Sequence, residues 1–299
     1  MAGAQGGGSR VSTLSHIGSI TKYNFLNYFR ARRFYVMLAI ILAISGLITV
    51  LVGYYRPISF LGLPGEPASL AVLGFYGAGW GGLASLVVVL SAAFFGGDAI
   101  SGEFQNKTGY FLVPNPIRRS AIYIGKWIAA LVASTIILAI FALIMVANGL
   151  YYFPGSIPWQ FEQSLLFTWV YLVAAMSLTF AFSSLFKSSA ISILMSVILL
   201  LIVFSVIDTV SSAVVGIEPW FSITYAAGII TSILMQTYPA HVTTQSLASA
   251  FGGANRTNAR FSITTYYATV PEGLEILVIY LVVMGIVGLW LFERKEFTS

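Results

Sequence analysis

Hydrophobic and polar positions in this chain separate into long segments rather than alternating residue by residue. Apolar runs without a charged residue are divided by shorter segments that hold nearly all the charge. A helix needs about 20 predominantly apolar residues to cross the hydrocarbon core of a bilayer. The pattern therefore predicts six membrane-spanning helices, at residues 35–55, 72–97, 127–147, 164–186, 189–207 and 275–292.

Three other segments have a different pattern. Residues 12–33 are basic and aromatic, with apolar side chains at helical spacing, which predicts an amphipathic helix lying on the membrane surface. Residues 221–236 are apolar but too short to cross, so we expect one or two helices that lie on or dip into the outer leaflet. Residues 1–11 are Gly-rich and predict a flexible tail, which leaves 12–299 as a single domain.

The composition agrees with a membrane protein. Hydrophobic residues make up 58% of the chain and charged residues only 8%, whereas a soluble domain carries about a quarter charged residues. The fold class predicted is all-α and integral to the membrane. The chain has no Cys, which excludes disulfides and thiolate metal sites. His16 and His241 lie far apart in the sequence, so no metal site is expected.

The basic residues predict the orientation. Of the 15 Lys and Arg residues, all but Arg56, Arg256 and Arg260 fall in segments on the same side as the N-terminus. Because cytoplasmic loops are enriched in Lys and Arg, both termini are expected in the cytoplasm of a cell whose plasma membrane holds the protein. The glycosylation sequon at Asn255 would then lie outside, and the one at Asn106 inside.

Residues 98–126, between the second and third predicted spans, are the most informative segment. They carry both signs of charge and alternate apolar with polar positions. A loop that only joined two spans could be as short as the turn at 186–189. Length and pattern together predict one or two short helices, broken at Pro114-Asn115-Pro116, that dock on a partner.

Known catalytic and ion-coupling patterns do not fit the chain. Gly125-Lys126 lacks the upstream Gly and the following Ser or Thr of a phosphate-binding loop. Glu218 and Glu272 form a conceivable acid–base pair, although solvated loop charges are the favoured interpretation.

Charged groups are also absent from the interior of the predicted spans, since Asp98 and Asp208 fall only at their ends. Ion-coupled carriers place titratable groups there. We therefore expect neither an enzyme nor an ion-driven carrier, and the energy for any transport would come from elsewhere.

The segment 98–126 resembles the membrane subunits of type-2 ABC transporters. Their pattern has an acid, a Gly-Thr-like pair, a Leu-containing turn, Ser-x-Pro, Arg, and a Gly-Lys pair opening the third span. It is matched here by Glu103, Thr108, Phe111-Leu112, Pro116, Arg119 and Gly125-Lys126. Lys107 and Pro114 depart from it, replacing the usual Gly and Ser. The 12–33 segment resembles the elbow helix of that family, and the long outer loop before the last span also agrees.

The resemblance implies a permease that pairs with a second permease, the same chain or a homologous one, and with ATP-binding subunits that hold ATP and Mg²⁺. Residues 98–112 would be the coupling helix, and Glu103 would offer its carboxylate to a basic group of the ATPase. The residues assigned to coupling are Glu103, Phe104, Lys107, Thr108, Arg118 and Arg119. The substrate path would lie between two permeases, lined by their second and fifth spans.

The function expected is transport of a substrate across the membrane, as export, by a chain without an ATPase site, cofactor or nucleic-acid partner of its own. The substrate class is left open by the sequence. The alternative is a membrane scaffold or assembly subunit that binds a cytosolic partner and moves nothing. A membrane enzyme is a third hypothesis.

Overall fold

The structure is a computed structural model that describes residues 13–60, 68–106, 118–153, 157–246 and 262–295. Within these ranges, six helices are long and apolar enough to cross a membrane, which confirms the predicted six-span, all-α class. They run over Arg32–Tyr54, Ala71–Gln105, Arg119–Tyr152, Trp159–Leu185, Ser189–Val215 and Val270–Arg294. The predicted tail at 1–11 lies outside the described residues.

Several spans combine shorter helices joined by π-helical turns. The α-helices are α1 (Thr13–Arg30), α2 (Arg32–Phe60), α3 (Ala68–Tyr76), α4 (Gly82–Gly96), α5 (Ser101–Gln105), α6 (Arg119–Tyr152), α7 (Trp159–Leu185), α8 (Ser189–Ile198), α9 (Phe204–Thr209), α10 (Ile223–Ala227), α11 (Ile229–Ser232) and α12 (Val270–Arg294). The π-helical turns are Gly77–Gly81, Leu199–Val203 and Val210–Val215. Strands β1 (Val242–Ser246) and β2 (Ser262–Tyr266) pair antiparallel, with Val242 opposite Tyr266.

Helix α7 lies at the centre of the bundle and contacts α4, α6, α8 and α12. Most of it is buried, although Trp159 and Trp169 are exposed. The small polar residues of its buried part are almost fully inaccessible: Ser164, Thr168, Ser177 and Ser183. Small side chains allow neighbouring helices to approach closely. Three of these hydroxyls donate to backbone carbonyls, as Thr168 does to the Ser164 carbonyl oxygen at 2.7 Å, and the Ser183 hydroxyl donates to that of Ser101.

The two ends of the bundle differ in character. One, which we call the basic end, gathers α1, α5, the beginning of α6, the turn between α7 and α8, and the end of α12. Tyr28 donates there to the Phe95 carbonyl at 3.2 Å, and the Arg119 guanidinium donates to the Lys295 carbonyl at 3.3 Å. The opposite end holds α10, α11, the β-hairpin and the beginning of α12, where Ser164 donates to the Ile230 carbonyl.

The apolar segment at 221–236 forms two short helices, α10 and α11. Ile223, Ile229 and Ile230 are fully buried, and the helices pack on α7, α12 and the turn at Gly77–Gly81. Their apolar character is thus explained by contact with the bundle itself. Their position relative to the outer leaflet stays a prediction.

The helices extend beyond the predicted spans, and this corrects one expectation. The fifth span continues through two π-helical turns to Val215, so that Asp208 lies within the helix rather than at its end. The Thr224 hydroxyl donates to its carboxylate. Similarly, the third span begins at Arg119 and includes Lys126. Asp208 and Lys126 therefore lie within the extended helices, and each has a polar partner.

Candidate coupling site at the basic end

Helix α5 begins where the backbone turns after α4, and α7 satisfies its first amide groups. The N–H groups of Ile100 and Ser101 both donate to the Ser183 hydroxyl oxygen, at 2.9 and 3.0 Å. The Ser101 hydroxyl donates to the Gly97 carbonyl at 2.7 Å. The first N–H groups of a helix have no partner within it, so a hydroxyl from the central helix fixes the position of this short element.

The strongest attachment of α5 is an ion pair with α6. The Lys126 ammonium donates to a carboxylate oxygen of Glu103 and, at 2.8 Å, to the Ala99 carbonyl. Lys126 is only 5% exposed, and Glu103 is partly buried. A buried ammonium is costly to leave unpaired, so the pair holds α5 against the third span.

A second ion pair joins the beginning of α5 to two more helices. The Asp98 carboxylate contacts the Arg33 guanidinium of α2 and accepts from the Ser189 hydroxyl of α8. At the other end of α5, the Gln105 side-chain oxygen accepts from the Ser189 N–H at 2.8 Å. Both ends of α5 are therefore tied to the start of the fifth span.

The C-terminal end of α12 completes the site. The Lys295 ammonium donates to the carbonyls of Ser184 and Phe186, at 2.9 and 2.8 Å, and lies 4.1 Å from the centre of the Phe104 ring. Burial and the nearby charge of Lys187 lower the pKa of Lys295 to about 8. The last span thereby contacts α5 and the turn between α7 and α8 together.

The Gly125-Lys126 pair has a separate role for each residue. A Cβ atom at position 125 would lie 2.7 Å from Cγ2 of Ile20, so only Gly lets α1 approach α6 so closely. The Thr21 hydroxyl donates to the Gly125 carbonyl at 3.2 Å across this contact. The first residue of the pair seats the N-terminal helix, while the second pairs with α5.

The sequence of this chain matches a known family of membrane proteins. The model of the family described as ABC-2 family transporter protein matches residues 17–297. The chain belongs to that family. None of the curated proteins matches it. The match covers all six spans and the segment 98–126, so the chain is an ABC-2 permease, a multi-pass membrane component of an ABC transporter.

The structure of the permease brings together some of the predicted coupling residues. Glu103 and Phe104 lie on α5, Arg118 precedes α6, and Arg119 begins it. Arg119 donates to the carbonyls of Glu293 and Lys295, whereas Arg118 is exposed. Lys107, Thr108, Pro114, Pro116 and the rest of the predicted coupling helix to 112 lie outside the described residues, as does Asn255. The coupling role of these residues stays a prediction.

The structure also supplies site residues that sequence reasoning missed. Arg33, Ser183, Ser189 and Lys295 hold α5 in place, and none of them was assigned to the site. The Gly125-Lys126 pair is the signal that pointed to Lys126. The other contacts carry no such signal, because they depend on how the helix ends meet in space.

The partner of the Glu103 carboxylate differs from the one expected. Glu103 was predicted to offer its carboxylate to the partner, but the permease itself supplies a cation for it in Lys126. The part of α5 that faces outward is instead its end, where Gln105 and Asn106 are exposed. A separate group of side chains that could bind a metal ion lies at the opposite end: Glu218, His241 and Glu272.

Proposed function

We propose that this ABC-2 permease transports a substrate outward across the plasma membrane, with the energy of ATP hydrolysed on a separate ATP-binding subunit that holds ATP and Mg²⁺. The observation that carries the proposal is the attachment of α5. One short helix is tied to α2 by Arg33, to α6 by Lys126 and to α7 by Ser183. Ser189 ties the same helix to α8. A displacement of α5 would therefore reach four helices at once.

The contact surface proposed for the ATP-binding subunit includes Asn106, at the end of α5, and Arg118, just before α6. Both residues are exposed, whereas Ser101 and Lys126, which attach the segment to the bundle, are buried. Exposed residues on a rigidly held base suit a lever, because the partner touches one part and the bundle receives the movement through the other. Both termini would lie on this cytoplasmic side.

A second permease is proposed to pack on the fifth span. Leu194, Ile202 and Val206 of that span are each more than half exposed, at 57%, 57% and 55%. Such a surface suits either lipid or another apolar helix. The second permease, identical or homologous, would enclose the substrate path between the two subunits.

The test is coexpression of the permease with an ATP-binding subunit of an ABC transporter from the same genome, followed by purification and measurement of ATP hydrolysis in proteoliposomes. We expect the two subunits to copurify, and the permease to alter the rate of ATP hydrolysis. A partner that never copurifies would contradict the proposal. A stable complex whose ATP hydrolysis is the same with and without the permease would favour the scaffold function instead.

The role of the Glu103–Lys126 pair is tested by comparing Glu103→Gln, Lys126→Met and the double variant in the same assay. If the pair acts within the permease, each single change uncouples ATP hydrolysis and the double change adds little, because interacting residues are not additive. If Glu103 instead serves the partner directly, Glu103→Gln uncouples more strongly than Lys126→Met and the effects add.

A further inference from the structure

The opposite end of the bundle brings together three side chains that can bind a metal ion. Glu218 precedes α10, His241 precedes β1, and Glu272 lies in the first turn of α12. One ligand atom from each lies within 4.8 Å of the other two. The three come from separate segments of the outer loop and the last span, so only the fold unites them.

The imidazole of His241 is oriented as a metal ligand. Its Nδ1 lies 2.9 Å from the Tyr267 carbonyl oxygen. A carbonyl can only accept, so Nδ1 carries a proton and Nε2 is the nitrogen available to a metal ion. That Nε2 faces Oε2 of Glu218 at 3.3 Å. Metal-ligating histidines typically donate their other nitrogen to a backbone carbonyl in this way.

Hydrogen bonds from neighbouring residues also fix the carboxylates of Glu218 and Glu272. Oε1 of Glu218 accepts from the Tyr225 hydroxyl at 2.7 Å, and Oε2 of Glu272 accepts from the Thr269 N–H at 3.2 Å. These hydrogen bonds fix both carboxylates in the group with His241.

The separation between Glu218 and His241 suits a small ion. A tetrahedral ion with bonds of about 2.1 Å has its ligand atoms about 3.4 Å apart, close to the distance between Glu218 and His241. The side chains of His241 and Glu218 are 40% and 26% exposed, so an ion can enter from solution. Two carboxylates and an imidazole favour a divalent transition metal over Mg²⁺ or Ca²⁺, which prefer sites made of oxygen ligands.

We propose that Glu218, His241 and Glu272 bind a divalent transition-metal ion such as Zn²⁺, which fastens the loop between the last two spans to the beginning of α12. Three protein ligands leave a fourth position for water. The site lies at the end of the bundle away from the coupling site and does not depend on an ATP-binding partner.

The experiment uses the full chain, purified in detergent with an affinity tag that contains no histidine and stripped with EDTA. Titration with ZnCl₂ by calorimetry should show one Zn²⁺ per chain, with no comparable binding of MgCl₂ or CaCl₂. His241→Ala and Glu272→Gln should each weaken binding about tenfold or more. Gln at 272 retains an oxygen that can accept from Thr269, which preserves the helix cap.

Glu275→Gln is the matched control, since Glu275 lies one turn further along α12 and outside the three-residue group. It should bind Zn²⁺ as the wild type does. ZnCl₂ should also raise the midpoint of thermal unfolding of the wild type and of Glu275→Gln, but not of His241→Ala. Absence of Zn²⁺ binding, as expected if His241 and Glu218 form only an ion pair, would overturn the proposal. Equal loss of Zn²⁺ binding in the Glu275→Gln control would also overturn the proposal.

Discussion

At the scale of single residues, the permease depends on a few polar groups placed at the ends of apolar helices. Lys126 was recognised in the sequence only as part of a Gly-Lys pair, and its contact with Glu103 is supplied by the fold. A lysine beside an apolar span needs a polar partner. The sequence cannot select that partner among Asp98, Glu103 and Glu293, because the choice depends on where α5 points.

Replacing Lys126 with Met should destabilise the permease. The change leaves the partly buried Glu103 carboxylate and the Ala99 carbonyl without their cation, at a cost of about 3 kcal/mol. The midpoint of thermal unfolding in detergent should fall by several degrees. Lys22→Met, which removes an exposed lysine of α1, is the control and should leave the midpoint unchanged. An equal effect of both changes would contradict the account.

Lys295 should give the permease a pH-dependent stability. Its pKa is lowered to about 8 in the folded chain by burial and by Lys187, whereas an unfolded lysine titrates near 10.4. Between these values the unfolded chain binds more protons, so stability should increase as the pH rises through this window. Thermal unfolding from pH 7 to 10 should show this rise in the wild type, and Lys295→Met should reduce it. If stability rises equally with pH in both proteins, Lys295 is not the source of the pH dependence.

At the scale of elements, the length of the apolar runs predicted six spans, and the structure confirms them. The prediction succeeds because a helix needs about 20 apolar residues to cross the hydrocarbon core. The ends of the spans were less predictable. The fifth helix passes position 207 because Asp208 finds Thr224, a contact between segments distant in sequence. The β-hairpin was missed since its strands are rich in Thr, Ser and Gln rather than in alternating apolar residues.

The contact between α1 and α6 can be tested at Gly125. Gly125→Val should displace α1, because even a Cβ atom there lies 2.7 Å from Ile20. Limited proteolysis should then cut within α1 faster than in the wild type. Gly285→Val is the control, since nothing lies within 4 Å of a Cβ atom at that position of α12. Unchanged proteolysis of the Gly125 variant would show that α1 does not depend on this contact.

At the scale of the whole molecule, the distribution of basic residues predicts that the basic end faces the cytoplasm. The absence of Cys makes the test direct. In intact cells, a membrane-impermeant maleimide should not label Asn106→Cys at the basic end. It should label Tyr238→Cys, at a partly exposed position of the opposite end. The reverse pattern would invert the orientation and with it the proposed coupling surface.

The central proposal is that an ATP-binding subunit docks on the surface that includes the exposed residues Asn106 and Arg118. A photo-crosslinking amino acid placed at position 106, in the complex with the coexpressed ATP-binding subunit, tests it most directly. Placement at position 238, at the opposite end, is the control. We predict a crosslinked permease–ATPase product from position 106 and none from position 238. A copurifying complex that gives no product from position 106, or gives one only from position 238, would contradict the account.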